Sequence, residues 1–259
     1  MSASRIITLT TDFGARDGYV AAMKGVILAL NPDARLVDIS HEIEPQNVAQ
    51  AAFVLGTTCP FFPKGAIHIA VVDPGVGTDR KALLLETAMG SFLGPDNGIF
   101  SHVIEASPEY RAISLTNPKY WRKPVSRTFH GRDIFAPVAG YLSKGIAPKE
   151  FGEAFSTLVT LPVSRVERTD DALLGEVIYI DRFGNLVTNI RERDLPPETG
   201  RVVVEVGSHA IRGLSPSYAQ GGELLAIVGS SDTVEIAARD GSAAAQLGAR
   251  IGQKVVLRP

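Results

Sequence analysis

The chain has 259 residues, of which 45% are hydrophobic, so it can bury a full core in one large domain or two modest ones. Its 26 Lys and Arg residues balance 28 Asp and Glu residues, which gives no electrostatic basis for binding nucleic acid or an anionic membrane surface. No apolar run approaches the ~20 residues that span a bilayer, and the N-terminal residues lack a signal-peptide pattern, so we expect a cytoplasmic protein. The single Cys59 excludes an internal disulfide and a cysteine-rich zinc site.

The first half of the chain alternates strand-like apolar runs with helical patterns. The strand candidates are IITLT (6–10), LVDI (36–39) and IHIAVV (67–72), and helical spacing marks residues 18–30 and a segment that Asn47 would cap. This alternation predicts an α/β domain with a mostly parallel sheet that helices cover on both faces. Such sheets bind ligands at the carboxyl ends of their strands, where Asp12 and Asp73 are expected to lie.

From about Leu173 onward the chain consists of short β-branched runs separated by Gly, Pro or Ser. The runs are LGEVIYID (174–181), RVVVEV (201–206), HAIRGL (209–214), LLAIVG (224–229), VEIAA (234–238) and KVVLR (254–258). Only SAAAQLGA (242–249) has a helical pattern there, so this half predicts a small antiparallel barrel or sandwich. We therefore predict two domains, over residues 1–165 and 172–259.

Four cassettes combine polar side chains with glycine or proline. They are VVDPGVG (71–77) followed by Arg80, GPDNG (94–98), TFHGRD (128–133) and DRFGN (181–185). Asp73, Arg80 and His130 together offer an acceptor, a fixed cation and a titratable imidazole. This set suits activation of a water better than metal binding or a covalent intermediate.

Each cassette taken alone also has a structural interpretation. The glycines of VVDPGVG can form a tight turn, while a dinucleotide loop is disfavoured because the GxGxxG spacing fails and Pro74 lacks an N–H. Asp73 could cap that turn, and His130 could be a packed residue. Arg132 and Asp133 are interpreted as a charge pair at a helix start. GPDNG is first of all a turn signature.

Two further features keep a structural and a functional interpretation open. Asp12 could accept hydrogen bonds from ribose hydroxyls or cap the following helix. DRFGN could be a plain hairpin turn, or Phe183 and Asn185 could contact a ligand with flat and polar parts. A metal site built from His130, Asp73 and Asp96 would lack any HxH, HxxE or HExxH pairing, so we predict no metal.

Five ordered motifs nevertheless share one resemblance over essentially the whole chain. TTDFG, VVDPGVG with its downstream arginine, GPDNG, TFHGRDIFAPVA and DRFGNLVTN resemble the S-adenosyl-L-methionine hydroxide adenosyltransferases, the hydrolytic branch of the superfamily that includes the fluorinase and chlorinase. The resemblance implies an N-terminal α/β domain and a C-terminal β-barrel in a homotrimer, with active sites between neighbouring subunits. It also implies cleavage of S-adenosylmethionine to adenosine and methionine. Because the sulfonium makes methionine a neutral leaving group, we expect this reaction to need no cofactor.

The resemblance also implies roles for individual residues. The family's catalytic triad falls on Asp73, Arg80 and His130, and its ribose-binding acid falls on Asp12. The remaining substrate contacts would be Phe129, Gly131, Asp181, Phe183, Asn185, Tyr218 and Ser230.

The departures from the halogenating relatives favour the hydrolytic branch. Those relatives carry a tyrosine where this chain has His130, and the fluorinase has a serine at the position of Gly131 and an arginine at that of Ser231. Three rivals remain: a halide adenosyltransferase, a non-catalytic S-adenosylmethionine or adenosine binding module, and a metal-dependent hydrolase.

Overall fold

The computed structural model describes residues 6–162 and 164–259, which fall into two compact units, residues 1–161 and 162–259. The first unit is an α/β domain, and antiparallel strands are the main secondary structure of the second. Within the described residues, no helix has the length and apolar character needed to cross a membrane.

The first unit contains one seven-stranded sheet. Its strands are Ile6–Thr11 (β1), Arg35–Ser40 (β2), Ala66–Val71 (β3), Ala82–Thr87 (β4), Gly90–Pro95 (β5), Tyr110–Leu115 (β6) and Gly152–Phe155 (β7). The order across the sheet is β2-β1-β3-β5-β4-β6-β7. Strands β2, β1, β3 and β5 run parallel, whereas β4, β6 and β7 continue the sheet with antiparallel pairing.

Helices cover both faces of this sheet, as the alternating pattern predicts. The helices are Tyr19–Leu30 (α1), Val48–Thr58 (α2), Ser101–Ala106 (α3) and Ala136–Ser143 (α4). On one face Met23 and Ile27 of α1 join Val138 of α4 in a core with β1 and β3. On the other face α2 and α3 pack their small and apolar side chains in a second core. Asn47 caps α2 as predicted, because its side chain accepts from the Gln50 amide at 2.9 Å.

The second unit contains one eight-stranded sheet and one short helix. The strands are Glu167–Arg168 (β8), Leu173–Ile180 (β9), Leu186–Arg191 (β10), Val203–Val206 (β11), His209–Arg212 (β12), Leu224–Val228 (β13), Thr233–Ala238 (β14) and Lys254–Arg258 (β15), and the helix is Ala243–Leu247 (α5). The order is β12-β11-β15-β9-β10-β14-β13, and β8 pairs with β9.

This sheet curls into a nearly closed barrel. The chain just after β12 returns to β13, the other edge of the sheet, where the Ser215 amide donates to the Ala226 carbonyl at 2.7 Å. Val177, Ile190 and Ile236 contribute fully buried side chains to the main apolar core of this unit. The predicted α/β fold followed by a C-terminal antiparallel β-barrel is therefore confirmed.

Candidate active site

The first unit brings Asp12 and Asp73 to one edge of its sheet. Strands β1 and β3 are adjacent and parallel, with Thr11 opposite Val71, so the residues that follow them emerge side by side. Asp12 follows β1 directly, and Asp73 comes two residues after β3. The sequence prediction that both carboxylates lie at the carboxyl edge thus agrees with the structure.

The Asp–Arg–His set is assembled by direct hydrogen bonds. Arg80 Nε lies 3.0 Å from each carboxylate oxygen of Asp73, and Arg80 Nη2 also pairs with Oδ2. The same Nη2 lies 2.8 Å from Nδ1 of His130. The side chains of Asp73 and Arg80 are only 5% and 11% exposed, so water screens this ion pair weakly.

The contact between Arg80 and His130 fixes the form of the imidazole. A guanidinium has only N–H donors, so Nδ1 of His130 must accept, and the ring is neutral with its proton on Nε2. Burial lowers the pKa of His130 from its ordinary value, and the positive charge of Arg80 acts in the same direction. The neutral imidazole is therefore the resting form at neutral pH.

Two glycines allow the loops around these side chains to approach each other closely. Gly77 has a φ of 79°, and a Cβ there would overlap the carbonyl oxygen of Arg127, just before the His130 cassette. A Cβ at Gly131 would lie 3.1 Å from Met23 Sδ. The glycines of VVDPGVG and TFHGRD therefore have a packing role that brings Asp73 and His130 into one site.

A buried carboxylate, that of Asp133, holds the segment around His130 in place through hydrogen bonds. Asp133 is fully buried and accepts from Arg132 Nε at 2.7 Å and from the Ser126 amide at 2.8 Å, with Arg122 Nη1 at 3.4 Å. Burial acts to raise the pKa of Asp133, but these hydrogen bonds outweigh it and hold the pKa below its usual range. The expected Arg132–Asp133 pair is present. Because Asp133 also accepts from the Ser126 amide, it connects the segment before His130 to the helical turn after His130.

That turn is a π-helix, Gly131–Phe135, with His130 at its N-terminal boundary. Such insertions into a helical segment occur frequently at functional sites. The GPDNG cassette supports the neighbouring loop, because Asn97 Nδ2 donates to the Val72 carbonyl at 2.8 Å, next to Asp73. Asp96 is buried and accepts from the Val159 amide at 3.0 Å.

Asp12 does not cap the following helix. The N-cap position of α1 is Gly18, which forms no side-chain capping bond, and Asp12 Oδ2 instead accepts from the Gln46 amide at 2.9 Å. Gln46 has a positive φ of 67°, so this bond holds an unusual backbone conformation beside the carboxylate. Nothing in the sequence pattern pointed to Gln46, because a positive φ at glutamine has no compositional signature.

Five of the predicted site residues of the first unit line one pocket of about 440 Å³, and the sixth, Arg80, contacts two of them, Asp73 and His130. Its walls include the predicted residues Asp12, Asp73, Phe129, His130 and Gly131, together with Phe13, Tyr19, Pro45 and Gln46. This volume is within the usual range of roughly 300–1,000 Å³ for small-molecule sites. Across residues 6–162 and 164–259, no group of three or more His, Cys, Asp or Glu side chains is arranged to hold a metal ion.

Within the barrel unit, Asp181 and Asn185 form one compact turn between β9 and β10. Asp181 Oδ1 accepts from the amides of Phe183 and Asn185, both at 2.9 Å, and Oδ2 accepts from Asn185 Nδ2 at 2.9 Å. Phe183 projects from this turn with 75% of its surface exposed. DRFGN is therefore a hairpin turn, and its exposed Phe183 ring leaves it able to contact a ligand as well, so the two interpretations are compatible.

Tyr218 forms a hydrogen bond with the carboxyl group of Glu235, a residue that the sequence patterns did not mark as functional. The Tyr218 hydroxyl donates to Glu235 Oε2 at 3.3 Å, and Glu235 is buried on β14. Burial raises the pKa of Glu235, and the charge of Asp181 adds to the rise. The turn after β13, which contains Ser230, approaches so closely that a Cβ at Gly229 would overlap the Glu235 carboxyl group. Glu235 lies in the short β-branched run VEIAA (234–238), whose composition predicts a strand and gives no functional signal.

The fold and the pocket together define a two-unit α/β and β-barrel protein whose α/β unit carries an Asp–Arg–His site at the carboxyl edge of its sheet. Family models for the SAM hydroxide adenosyltransferase N-terminal domain and C-terminal domain match residues 7–152 and 175–256. The chain belongs to the SAM hydroxide adenosyltransferase family.

Known relatives agree with this membership. An (R)-S-adenosyl-L-methionine hydrolase of Salinispora tropica is 40% identical over 98% of both chains. A fluorinase of an Actinoplanes species is more distant, with 29% identity over 73% of each chain. A crystal structure of an uncharacterized conserved protein from Thermotoga maritima has a TM-score of 0.91 at 33% identity, covering 98% of this chain and all of its own.

Proposed function

We propose that this protein hydrolyses S-adenosylmethionine to adenosine and methionine. The observation that carries the proposal is the hydrogen-bonded Asp73–Arg80–His130 set, because Asp73 and His130 line one pocket together with Asp12. The Salinispora relative, which matches almost the whole chain, has a name that states the same substrate and reaction class. The proposed assembly is a homotrimer, as the family resemblance implies, and the proposed location is the cytoplasm.

The substrate's own chemistry explains why this set would suffice. Methionine leaves the sulfonium as a neutral thioether, so the leaving group needs no proton donor. The oxygen of a water attacks C5′, the C5′–S bond breaks with its electron pair moving to sulfur, and the water loses one proton. The protein has to hold the water in line and receive that proton, and positioning alone can supply ~7–11 kcal/mol of the acceleration. We therefore propose that no cofactor is needed.

The geometry gives each member of the set a distinct role in this proposal. Neither ring nitrogen of His130 has a free lone pair, because Nδ1 accepts from Arg80 and Nε2 carries the proton. His130 would then donate from Nε2 to the water oxygen and orient it. The Asp73 carboxylate retains acceptor capacity beyond its bonds to Arg80 and would take the proton, while Arg80 stabilises the developing negative charge.

This assignment predicts a one-sided pH profile. The neutral form of His130 is required, and burial places its pKa below the ordinary 6.5, so the neutral form predominates at and above that pH. We expect kcat to be flat above pH 6.5 and to fall as the pH drops through the lowered pKa of His130. A His130→Gln variant should be slow but should lose this acidic limb. A limb that persists unchanged in the variant would assign it to another group.

Asp12 is predicted to act mainly in binding. A carboxylate that accepts from both ribose hydroxyls contributes charge-assisted bonds worth roughly 1.5–3 kcal/mol each, so Asp12→Ala should raise the dissociation constant of the substrate by at least tenfold. Asp12→Asn is the matched control, because it keeps an acceptor for the Gln46 amide. A 2′-deoxy substrate should bind the wild type poorly and lose little more in Asp12→Ala. Equal sensitivity of both proteins to the missing hydroxyl would leave Asp12 only the role of holding Gln46.

Product analysis tests the proposed reaction. Purified protein incubated with S-adenosylmethionine should yield adenosine and methionine, and added chloride should leave the nucleoside product unchanged. Formation of 5′-chloro-5′-deoxyadenosine would assign the halide reaction instead. Binding without any turnover would make the protein a non-catalytic binder, and inhibition by a chelator would indicate a metal-dependent hydrolase.

A further inference from the structure

Three aromatic rings form a continuous wall of the pocket in the first unit. The ring centroid of Phe129 lies 5.2 Å from that of Tyr19 and 5.8 Å from that of Phe13, with interplanar angles of 90° and 77°. Phe13 and Tyr19 are 5.9 Å apart, so each ring contacts the other two. All three line the pocket that contains Asp73 and His130.

Tyr19 presents a half-exposed ring at this pocket in the single chain. It is the first residue of α1, and 51% of its surface is accessible although its ring touches two half-buried aromatic residues. A ring of this size held at a pocket wall is a surface that a ligand can cover. The ring pairs fix its position, which limits the conformational entropy that binding would cost.

The electrostatics of the wall favour a positively charged ligand. The guanidinium of Arg132 already lies 5.0 Å from the Phe129 ring centroid, so this ring accommodates a cation on one side within the protein itself. Arg80 is paired with Asp73. The Asp12 carboxylate at the same pocket accepts from the Gln46 amide, and no cationic side chain within residues 6–162 and 164–259 forms an ion pair with it. Aromatic faces and a carboxylate together attract a desolvated cation more than a neutral group of the same shape.

We propose that the Phe13–Tyr19–Phe129 wall selects the sulfonium form of the adenosyl substrate over the corresponding neutral thioether, with Tyr19 as the specificity-determining residue. This inference rests on the proposed hydrolysis of S-adenosylmethionine, since that substrate carries its positive charge on sulfur. The wall recognises the ground state, because the charge on sulfur is lost as the C5′–S bond breaks. Tyr19 is therefore a binding residue whose loss raises KM while kcat stays the same or increases.

The test compares a cationic and a neutral ligand on matched variants. Tyr19→Leu keeps apolar volume but removes the aromatic face, and Tyr19→Phe keeps the face. We expect Tyr19→Leu to raise KM for S-adenosylmethionine about threefold to thirtyfold, the range of a desolvated cation–π contact, and to change the inhibition constant of S-adenosylhomocysteine by less than about twofold. Tyr19→Phe should retain the preference for the cation. Tyr110→Leu, on the exposed end of β6, controls for loss of a surface tyrosine and should alter neither constant.

Two results would overturn the wall as a charge selector. One is a parallel weakening of both ligands in Tyr19→Leu, which would make the ring an apolar contact only. The other is a loss of kcat with KM unchanged, which would assign Tyr19 to the chemical step.

If the wild type binds S-adenosylmethionine without hydrolysing it, dissociation constants measured by calorimetry replace KM in this comparison. Loss of the cation preference in Tyr19→Leu would then support the wall even though the proposed hydrolysis had failed.

Discussion

Arg80→Ala is expected to lower kcat by about two to four orders of magnitude while S-adenosylmethionine still binds, the range seen when a preorganised charge or a general base is removed. The physical reason is that Arg80 joins the other two members of the set, since it donates to both Asp73 oxygens and to His130 Nδ1. Without it, the Asp73 carboxylate is an unpaired charge at 5% exposure and His130 can adopt either tautomer. Steady-state kinetics together with calorimetric binding would separate the two effects.

Asp73→Asn and His130→Ala are expected to show the same pattern, and any double variant should be little worse than a single one because the groups act as a unit. The same loop supplies matched controls. Lys81→Ala removes the adjacent cation, which lies over the Phe155 ring, and Asp79→Asn removes an exposed carboxylate; both should retain activity. If substrate binding were lost in parallel with turnover in all three active-site variants, these residues would be ligand-positioning groups and the proposed roles would be wrong.

A mixture of His130→Ala and Asn185→Ala chains is expected to regain activity that neither chain has alone. In the proposed homotrimer each site takes its α/β half from one subunit and its barrel half from a neighbour. After dissociation and random reassociation at equal amounts, about one site in four would combine two intact halves of a closed ring of three. The measurement is the specific activity of the reassembled mixture, with sedimentation to confirm the trimer.

The control for this experiment mixes two chains damaged in the same half. His130→Ala with Arg80→Ala leaves no combination of intact halves, so that mixture should remain inactive. A fully active monomer, or exchange of chains with no recovery in the His130 and Asn185 mixture, would show that the site lies within one subunit.

Strands β1 to β3 could be predicted from the sequence because each consists of a distinct apolar run that ends at turn residues. The rule that parallel strands expose their carboxyl ends at one edge then brought Asp12 and Asp73 together. The antiparallel strands β4 to β7 were not identified. Strand β5 begins with Gly90 and ends with Pro95, so its short apolar run has the composition of a turn region.

The position of His130 relative to Asp73 could not be derived from strand patterns. It depends on close loop packing at Gly77, on the π-helix after His130 and on the buried carboxylate of Asp133, and none of these has a periodic signal. The ordered motifs of the family provided that association instead. In the barrel, the β-branched run predicted the strand containing Glu235 but could not show that its carboxyl group accepts a hydrogen bond from Tyr218.

Isotope labelling tests the central claim most directly, because it follows the attacking oxygen itself. The protein would be incubated with S-adenosylmethionine in water enriched in oxygen-18, and both products would be analysed by mass spectrometry. Attack of water on C5′ predicts one oxygen-18 atom in the 5′-hydroxyl of adenosine and none newly incorporated in methionine, with the rate of labelling lost in Arg80→Ala. Unlabelled adenosine, or no turnover of S-adenosylmethionine by the wild-type protein, would contradict the proposed hydrolysis.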